Sequence, residues 1–127
     1  MKLRTPVPMP FFLAACGGGS NGAADAKVIF ESAEPAPVLG GWDGIVLHAR
    51  AMPATRITHA ITRDGGGRTL SAHKGGVTLN DTEGRVSISE TAFEANDRAD
   101  LYIACDSRPT LSANTFASGG PTLQDGC

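Results

Sequence analysis

Alternating apolar and polar residues dominate the chain after residue 26, and a period of two is the pattern of a half-buried β-strand. The segments 42–50 (WDGIVLHAR) and 101–105 (LYIAC) show this alternation over a few residues, and residues 27–30 (KVIF) are a further short candidate strand. Two prolines in the segment 34–37 (EPAP) impose an extended connection between the first two strands. This pattern therefore predicts short strands joined by irregular connections.

A β-hairpin is predicted over residues 55–72. Its first strand places Ile57, His59 and Ile61 on one face, and residues 69–72 return beside it across the turn DGGG. Glycine adopts the positive φ angles that tight hairpin turns require. The two runs are therefore expected to pair antiparallel.

A second hairpin is predicted over residues 77–88, where the turn sequence NDTEG separates two alternating runs. Residues 89–100 allow one helical turn, with Ser89 as the N-cap and Phe93 facing inward. About six to eight strands with short turns are typical of an all-β domain. The sequence therefore predicts a small antiparallel β-sandwich or barrel over residues 27–127.

The chain contains one internal echo. TLSAHKGGVTLND at residues 69–81 is similar to TLSANTFASGGPTLQD at residues 110–125. Two related β-hairpin units would explain the echo, and so would chance similarity between segments rich in Thr, Ser and Gly. Two copies are too few to predict a solenoid.

The first sixteen residues carry a separate pattern. Lys2 and Arg4 precede an apolar run that ends in Leu13-Ala14-Ala15-Cys16. This order of a basic start, an apolar stretch and small residues resembles the signal peptide and lipobox of bacterial lipoproteins. The resemblance implies a signal peptide over residues 1–15.

In that class of lipoprotein the cysteine becomes the first mature residue and carries the lipid, so the resemblance implies lipidation of Cys16. Several acyl chains hold a protein firmly to a membrane. Gly17 follows the cysteine, which by the same resemblance favours the outer membrane, with the domain facing the periplasm or the cell surface. Residues 16–26 are rich in Gly, Ser, Asn and Ala and are predicted to be a flexible tether.

Lipidation of Cys16 would leave Cys105 and Cys127 as an even pair in an oxidising compartment, which predicts a disulfide bond. In the chain-entropy model a loop of this size contributes about 3 kcal/mol to stability. In a cytosolic protein the same residues would be two free thiols, so the disulfide depends on the signal peptide.

The charge balance argues against a nucleic-acid partner. The chain has 11 basic and 13 acidic residues, and removal of Lys2 and Arg4 leaves nine basic residues. Basic residues concentrate in the segment 50–85, which would suit anionic lipid headgroups, glycan phosphates or an acidic protein. Solvated outer faces of strands, balanced by neighbouring carboxylates, also explain these charges and are the favoured interpretation, since runs of charge are usually ordinary surface.

No catalytic, metal-binding or cofactor-binding set is predicted. His48, His59 and His73 lie on separate segments without the HxH or HExxH spacing that fixes two metal ligands on one element. The tetrapeptide 71–74 (SAHK) matches SxxK, but the further motifs of penicillin-binding enzymes are missing. The sequence therefore favours a protein that is not an enzyme.

Gly40-Gly41-Trp42 resembles the GxW motif at the first strand of lipocalin-like and related small inhibitor barrels. Trp42 is expected either to plug the core or, beside Arg50, to anchor a partner, and Arg56 is a further candidate binding residue. The predicted function is a lipid-anchored envelope protein with a non-catalytic binding or structural β-domain. The alternatives are a periplasmic inhibitor of a lysozyme or protease and, third, a small hydrolase.

Overall fold

The protein is a stack of short strands wound around one core. The computed structural model describes residues 2–4, 20–21, 26–48, 51, 54–67 and 74–127, and it describes the first two ranges by their backbone alone. Within these residues the chain forms thirteen strands and no helix. The strands are β1 (Lys2–Arg4), β2 (Ser20–Asn21), β3 (Val28–Glu31), β4 (Ile45–Leu47), β5 (Thr55–Thr58), β6 (Ala60–Arg63), β7 (Val77–Leu79), β8 (Val86–Ser89), β9 (Ala92–Glu94), β10 (Leu101–Ile103), β11 (Thr110–Ser112), β12 (Thr115–Phe116) and β13 (Thr122–Leu123).

The described strands form three sheets, which we name A, B and C. Sheet A has the order β1-β3-β6-β9-β12, sheet B the order β11-β8-β5-β2, and sheet C the order β13-β10-β7-β4. From β2 onward, successive strands enter sheets B, A and C in rotation, so each circuit of three strands makes one coil. Every pairing between coils is parallel, and only β1 pairs antiparallel, with β3. The fold is a β-solenoid of four coils.

The antiparallel sandwich or barrel expected from the sequence is therefore wrong, although the described protein is strand-rich as predicted. The first predicted hairpin strand is in fact two strands, β5 and β6, because His59 between them has a φ of 49° and turns the chain. The alternation restarts after this turn, so Ala60 and Thr62 are buried while Ile61 is only half-buried. The return strand predicted over residues 69–72 lies outside the described residues.

The second predicted hairpin is also wrong. Strands β7 and β8 belong to sheets C and B and do not pair with each other, and the residues between them form a corner of the solenoid. The predicted helical turn is replaced by strand β9, in which Phe93 faces inward as expected. Alternation and turn residues look the same for a hairpin and for a solenoid corner, which is why the sequence pattern misled.

The echo in the sequence corresponds in part to a structural repeat. Thr78, Tyr102 and Thr122 pair across sheet C, and Leu79, Ile103 and Leu123 pair in the next row. The two copies of Gly-Gly-x-Thr-Leu therefore occupy equivalent places in coils two and four. The first TLSA copy lies outside the described residues. The sequence analysis did not predict a solenoid from two copies, and the fold shows that this expectation is wrong.

The core consists mainly of apolar residues, with the buried Thr62 among them, stacked in columns along the solenoid axis. Parallel in-register pairing places each inward side chain directly above the equivalent residue of the next coil. The rings of Phe93 and Phe116 stack in this way, with their centroids 4.8 Å apart and an interplanar angle of 8°. The columns are Phe30, Thr62, Phe93 and Phe116 in sheet A; Ile57, Ile88 and Leu111 in sheet B; and Leu47, Leu79, Ile103 and Leu123 in sheet C.

The corner between sheets B and A has the same backbone conformation in three successive coils. His59, Glu90 and Ala113 occupy it with φ angles of 49°, 50° and 53°. A left-handed conformation costs a non-glycine residue about 1–2 kcal/mol. The Asn114 side chain offsets part of this cost, since it accepts from the Thr91 backbone N–H (3.0 Å) and donates to the Ile88 carbonyl (2.8 Å).

The predicted disulfide is confirmed. Cys105 and Cys127 are bonded, with their Cα atoms 5.4 Å apart. The bond ties the last residue to the end of the third coil, next to β10 and β13. A search of the described residues for a helix long and apolar enough to cross a membrane finds none.

Replacement of Phe93 by alanine should destabilise the fold by about 3–5 kcal/mol, because the ring is only 1% exposed and the cavity would interrupt the column between coils. Urea unfolding followed by circular dichroism measures this change. Leu39→Ala is the control, since Leu39 is 59% exposed on a loop and its loss should change the unfolding free energy by less than about 0.5 kcal/mol. Equal effects of the two changes would contradict the column arrangement.

Candidate binding surface

Three charged side chains form a row on the outer side of sheet A. Arg63 pairs in register with Glu94, and its Nε and Nη2 atoms donate to Oε2 of Glu31 on the neighbouring strand, at 2.9 and 2.5 Å. Its Nη1 atom lies 3.7 Å from Oε2 of Glu94. The Glu31 side chain is only 6% exposed, whereas Arg63 and Glu94 are 34% and 48% exposed. The close pair Glu31–Arg63 therefore compensates a buried carboxylate.

The hydrogen bonds that Arg63 donates to the Glu31 carboxylate raise the pKa of Arg63 above its ordinary value. Burial opposes this shift, and the negative charges of Glu31 and Glu94 add to it. A cation whose pKa is higher in the folded state stabilises the fold at every pH below its ordinary pKa. This contribution to stability is lost only as the pH rises through the folded-state pKa. The guanidinium therefore stays charged, and its contribution does not vary over the range in which proteins are normally studied.

Trp42 closes the corner between sheets A and C. It is 9% exposed, and its indole N–H donates to the Arg63 carbonyl at 2.8 Å. Gly65 packs so closely that a Cβ atom there would lie 3.3 Å from the indole ring. Trp42 thus plugs the core and offers little surface to a partner. The GxW sequence lies in the loop between β3 and β4 rather than on a barrel strand, so the barrel implied by that resemblance is wrong.

A second network holds the same corner in the later coils. Asn96 accepts from the Gly65 backbone N–H and donates to the Thr62 carbonyl and to Oδ1 of Asp100, each at 3.1 Å. The other carboxylate oxygen of Asp100 accepts from the Ser118 backbone N–H at 2.7 Å. These contacts connect the second, third and fourth coils. They use both polar groups of the Asn96 amide, so the role of this residue is structural.

The outer side of sheet B is different, because it presents hydroxyl groups in two straight rows. Neighbouring strands of a sheet lie about 4.8 Å apart and alternate residues of one strand about 6.6 Å apart, so the rows form a regular grid. The Ser89 hydroxyl on β8 donates to the Thr58 hydroxyl on the neighbouring strand β5, at 3.1 Å. The rows are Arg56, Ser87 and Thr110, followed by Thr58, Ser89 and Ser112, and we call these six residues the hydroxyl face.

A depression of about 440 Å³ adjoins the hydroxyl face where β8 and β11 begin. Glu83, Gly84, Asp106 and Arg108 line it. Glu83 pairs with Arg85, whose Nη2 atom lies 3.1 Å from Oε2. Within the described part of the chain, no side chain pairs with the exposed guanidinium groups of Arg56 or Arg108. The surface therefore combines neutral hydroxyls with two positive charges that no described side chain pairs with, and Glu83 and Asp106 are the acids at its margin.

The structure does not bring the candidate binding residues together. Trp42 is buried at the corner of sheets A and C, whereas Arg56 is exposed on sheet B. Arg50 lies outside the described residues, as do Cys16 and His73.

The histidines that are described occupy different places. His48 is exposed after β4, and Nδ1 of His59 lies 3.0 Å from Oε2 of Glu90. Among the described residues, no three His, Cys, Asp or Glu side chains are grouped as metal ligands would be.

Sequence reasoning missed the hydroxyl face and the Asn96 network. The sequence did contain a signal for the hydroxyl face, since Arg-Ile-Thr, Ser-Ile-Ser and Thr-Leu-Ser each place one apolar residue between two polar ones. Nothing in the sequence indicated that these triplets stack, because the spacing between them is unequal. Comparisons of the chain with protein-family models, curated proteins and solved structures gave no match.

Replacement of Arg63 by methionine should destabilise the fold by about 1–3 kcal/mol, because the buried Glu31 carboxylate would lose its close ion pair with the guanidinium. The expected value lies below that of a fully buried pair, since a third of the Arg63 side chain is exposed and solvent screens the interaction. Denaturant unfolding measures the change. Glu94→Gln is the matched control, and a loss as large as that of Arg63→Met would show that the half-exposed contact dominates instead.

Proposed function

We propose that the protein is a lipid-anchored component of a bacterial cell envelope, with a non-catalytic solenoid domain that binds an anionic glycan. The lipobox-like sequence at Cys16 supports the anchor. The disulfide between Cys105 and Cys127 fits the same compartment, because such bonds persist in oxidising environments. The Gly17 that follows the cysteine supports an outer-membrane position.

The hydroxyl face is the observation that carries the binding proposal. Serine and threonine hydroxyls both donate and accept hydrogen bonds, which suits the hydroxyl-rich surface of a sugar chain. Guanidinium groups bind carboxylates and phosphates with two parallel hydrogen bonds. Arg56 lies in the grid and Arg108 lies beside it, and no described side chain pairs with either guanidinium, so the surface favours a sugar polymer that carries such anionic groups.

The titratable clusters elsewhere on the solenoid support binding rather than catalysis. Glu31 is held by Arg63, Asp100 by Asn96 and the Ser118 backbone, and His59 by Glu90. All of these contacts except Asn96–Asp100, which lies within the third coil, join neighbouring coils. Side chains that hold each other in this way stabilise the stacked coils. We therefore assign the binding role to the outer face of sheet B.

A hydrolase inhibitor is the second candidate, and one feature favours it. Val38 and Leu39 are 63% and 59% exposed at the tip of a loop. The Gly41 backbone N–H donates to the Val38 carbonyl at 2.9 Å, and Gly40 has a φ of 70°, so the tip is a defined turn. An apolar turn of this kind would suit insertion into a cleft of another protein.

The intact mass of the protein recovered from bacterial membranes should correspond to a chain that starts at Cys16 and carries acyl groups. It should also lack two hydrogens because of the Cys105–Cys127 bond. Growth with an inhibitor of signal peptidase II should abolish the processed species. An unprocessed chain without lipid in the cytosol would contradict the envelope assignment.

Replacement of Arg56 or Arg108 by alanine should weaken binding of a soluble polyuronic acid about five- to tenfold each, because one charge-assisted hydrogen bond to a carboxylate contributes about 1–1.4 kcal/mol. Titration calorimetry at low and at physiological salt measures the affinity. Binding should weaken as salt increases, as expected for exposed charges.

Lys27→Ala is the matched control, because it removes an exposed positive charge ahead of β3. It should leave the affinity unchanged. Dextran of the same length tests whether the anionic groups matter. Equal binding of dextran, or binding to vesicles of anionic lipid without binding to the polyuronic acid, would contradict the glycan proposal.

A further inference from the structure

The fourth coil ends the described solenoid with three open strand edges. Among the described strands, β11, β12 and β13 each pair on one side only, with β8, β9 and β10. The inward columns end here as well, and Leu123 is 65% exposed while Leu111 and Phe116 are half-buried. At the opposite end, β1 covers the edge of β3. We call the exposed side of β11, β12 and β13 the end face.

This end face lacks the usual protection of an open edge. Natural sheets protect their edges with charges or proline, because unpaired backbone groups invite another strand. Residues 110–124 contain no Asp, Glu, Lys or Arg, and Pro121 lies between strands rather than within one. The last repeat of a solenoid normally needs a polar outer face. An uncharged edge with exposed core residues is therefore expected to be covered.

The end face is also held rigid, so it does not behave as a frayed end. Asn114 fixes one corner to the third coil, and the Ser118 backbone N–H donates to buried Asp100 at the next corner. The Gln124 backbone N–H donates to the Ile103 carbonyl at 2.9 Å, and Cys127 is bonded to Cys105. A surface ordered in advance loses little entropy on association.

We propose that a second copy of this chain covers the end face, and that two solenoids join end to end about a two-fold axis. Identical faces repel when they carry charge, and this face carries none. A two-fold axis across the solenoid axis makes the facing strands antiparallel, so their open edges can hydrogen-bond. It also buries Phe116 and Leu123 of both copies. This inference is independent of the lipid anchor and of the glycan.

The test uses the full-length chain with Cys16→Ser, so that no lipid contributes to association. Sedimentation equilibrium over a wide range of concentration should give the mass of two chains at high concentration and of one chain on dilution. Leu123→Lys should weaken association at least tenfold, because it places a charge in the centre of the interface. Thr115→Lys, on the open edge of β12, should do the same and is exposed enough to preserve folding.

Leu39→Lys is the matched control, because it makes the same change at a leucine of similar exposure that lies far from the end face. It should leave the association constant unchanged. A single-chain mass at every concentration would overturn the proposal. Open-ended assemblies would overturn it too, since they require head-to-tail stacking instead of a two-fold axis.

Discussion

In-register parallel stacking of one coil on the next is the constraint on which the rest of this structure depends. Each strand is only two to four residues long and has no stability of its own, so its backbone must pair with the coils on either side. That pairing places equivalent side chains in contact. The Phe93–Phe116 stack and the Ile57, Ile88 and Leu111 column follow directly from it. A side chain that packs badly in one coil therefore disturbs the packing of the neighbouring coil as well.

The same constraint explains the corners. Successive coils stay in register only if the chain turns at the equivalent position of each coil. His59, Glu90 and Ala113 therefore share one left-handed conformation. At the corners, where the strand pairing is interrupted, polar side chains connect one coil to the next. Asn96 and Asn114 do this at different corners, each with bonds to the neighbouring coil. Loss of such a bridge would leave backbone groups unpaired rather than create a cavity.

Several strand positions could be predicted from alternation, and the inward placement of Ile57 and Ile103 follows from it. Phe93 faces inward as expected, but in a strand and not in the helical turn that the sequence predicts. The partners of those strands could not be predicted. His59 looks like a strand residue in sequence, and its turn reassigns the face of every residue up to Arg63. The disulfide followed from cysteine number and compartment. Arg56 was recognised as a candidate, but its row with Ser87 and Thr110 exists only once the coils are stacked.

Processing of the N-terminus would affect strand β1. Lys2–Arg4 pairs with β3 in the opposite direction to every coil, so it covers the edge of sheet A without extending the solenoid. These residues lie within the segment that the lipobox predicts to be removed. Cleavage after Ala15 would remove β1 and with it the partner of β3 on that edge, whereas among the described strands β12 has no partner on its outer edge in either form. A secretory leader of this kind would therefore act as a temporary edge strand, and processing would change which surfaces of the solenoid are free to pair.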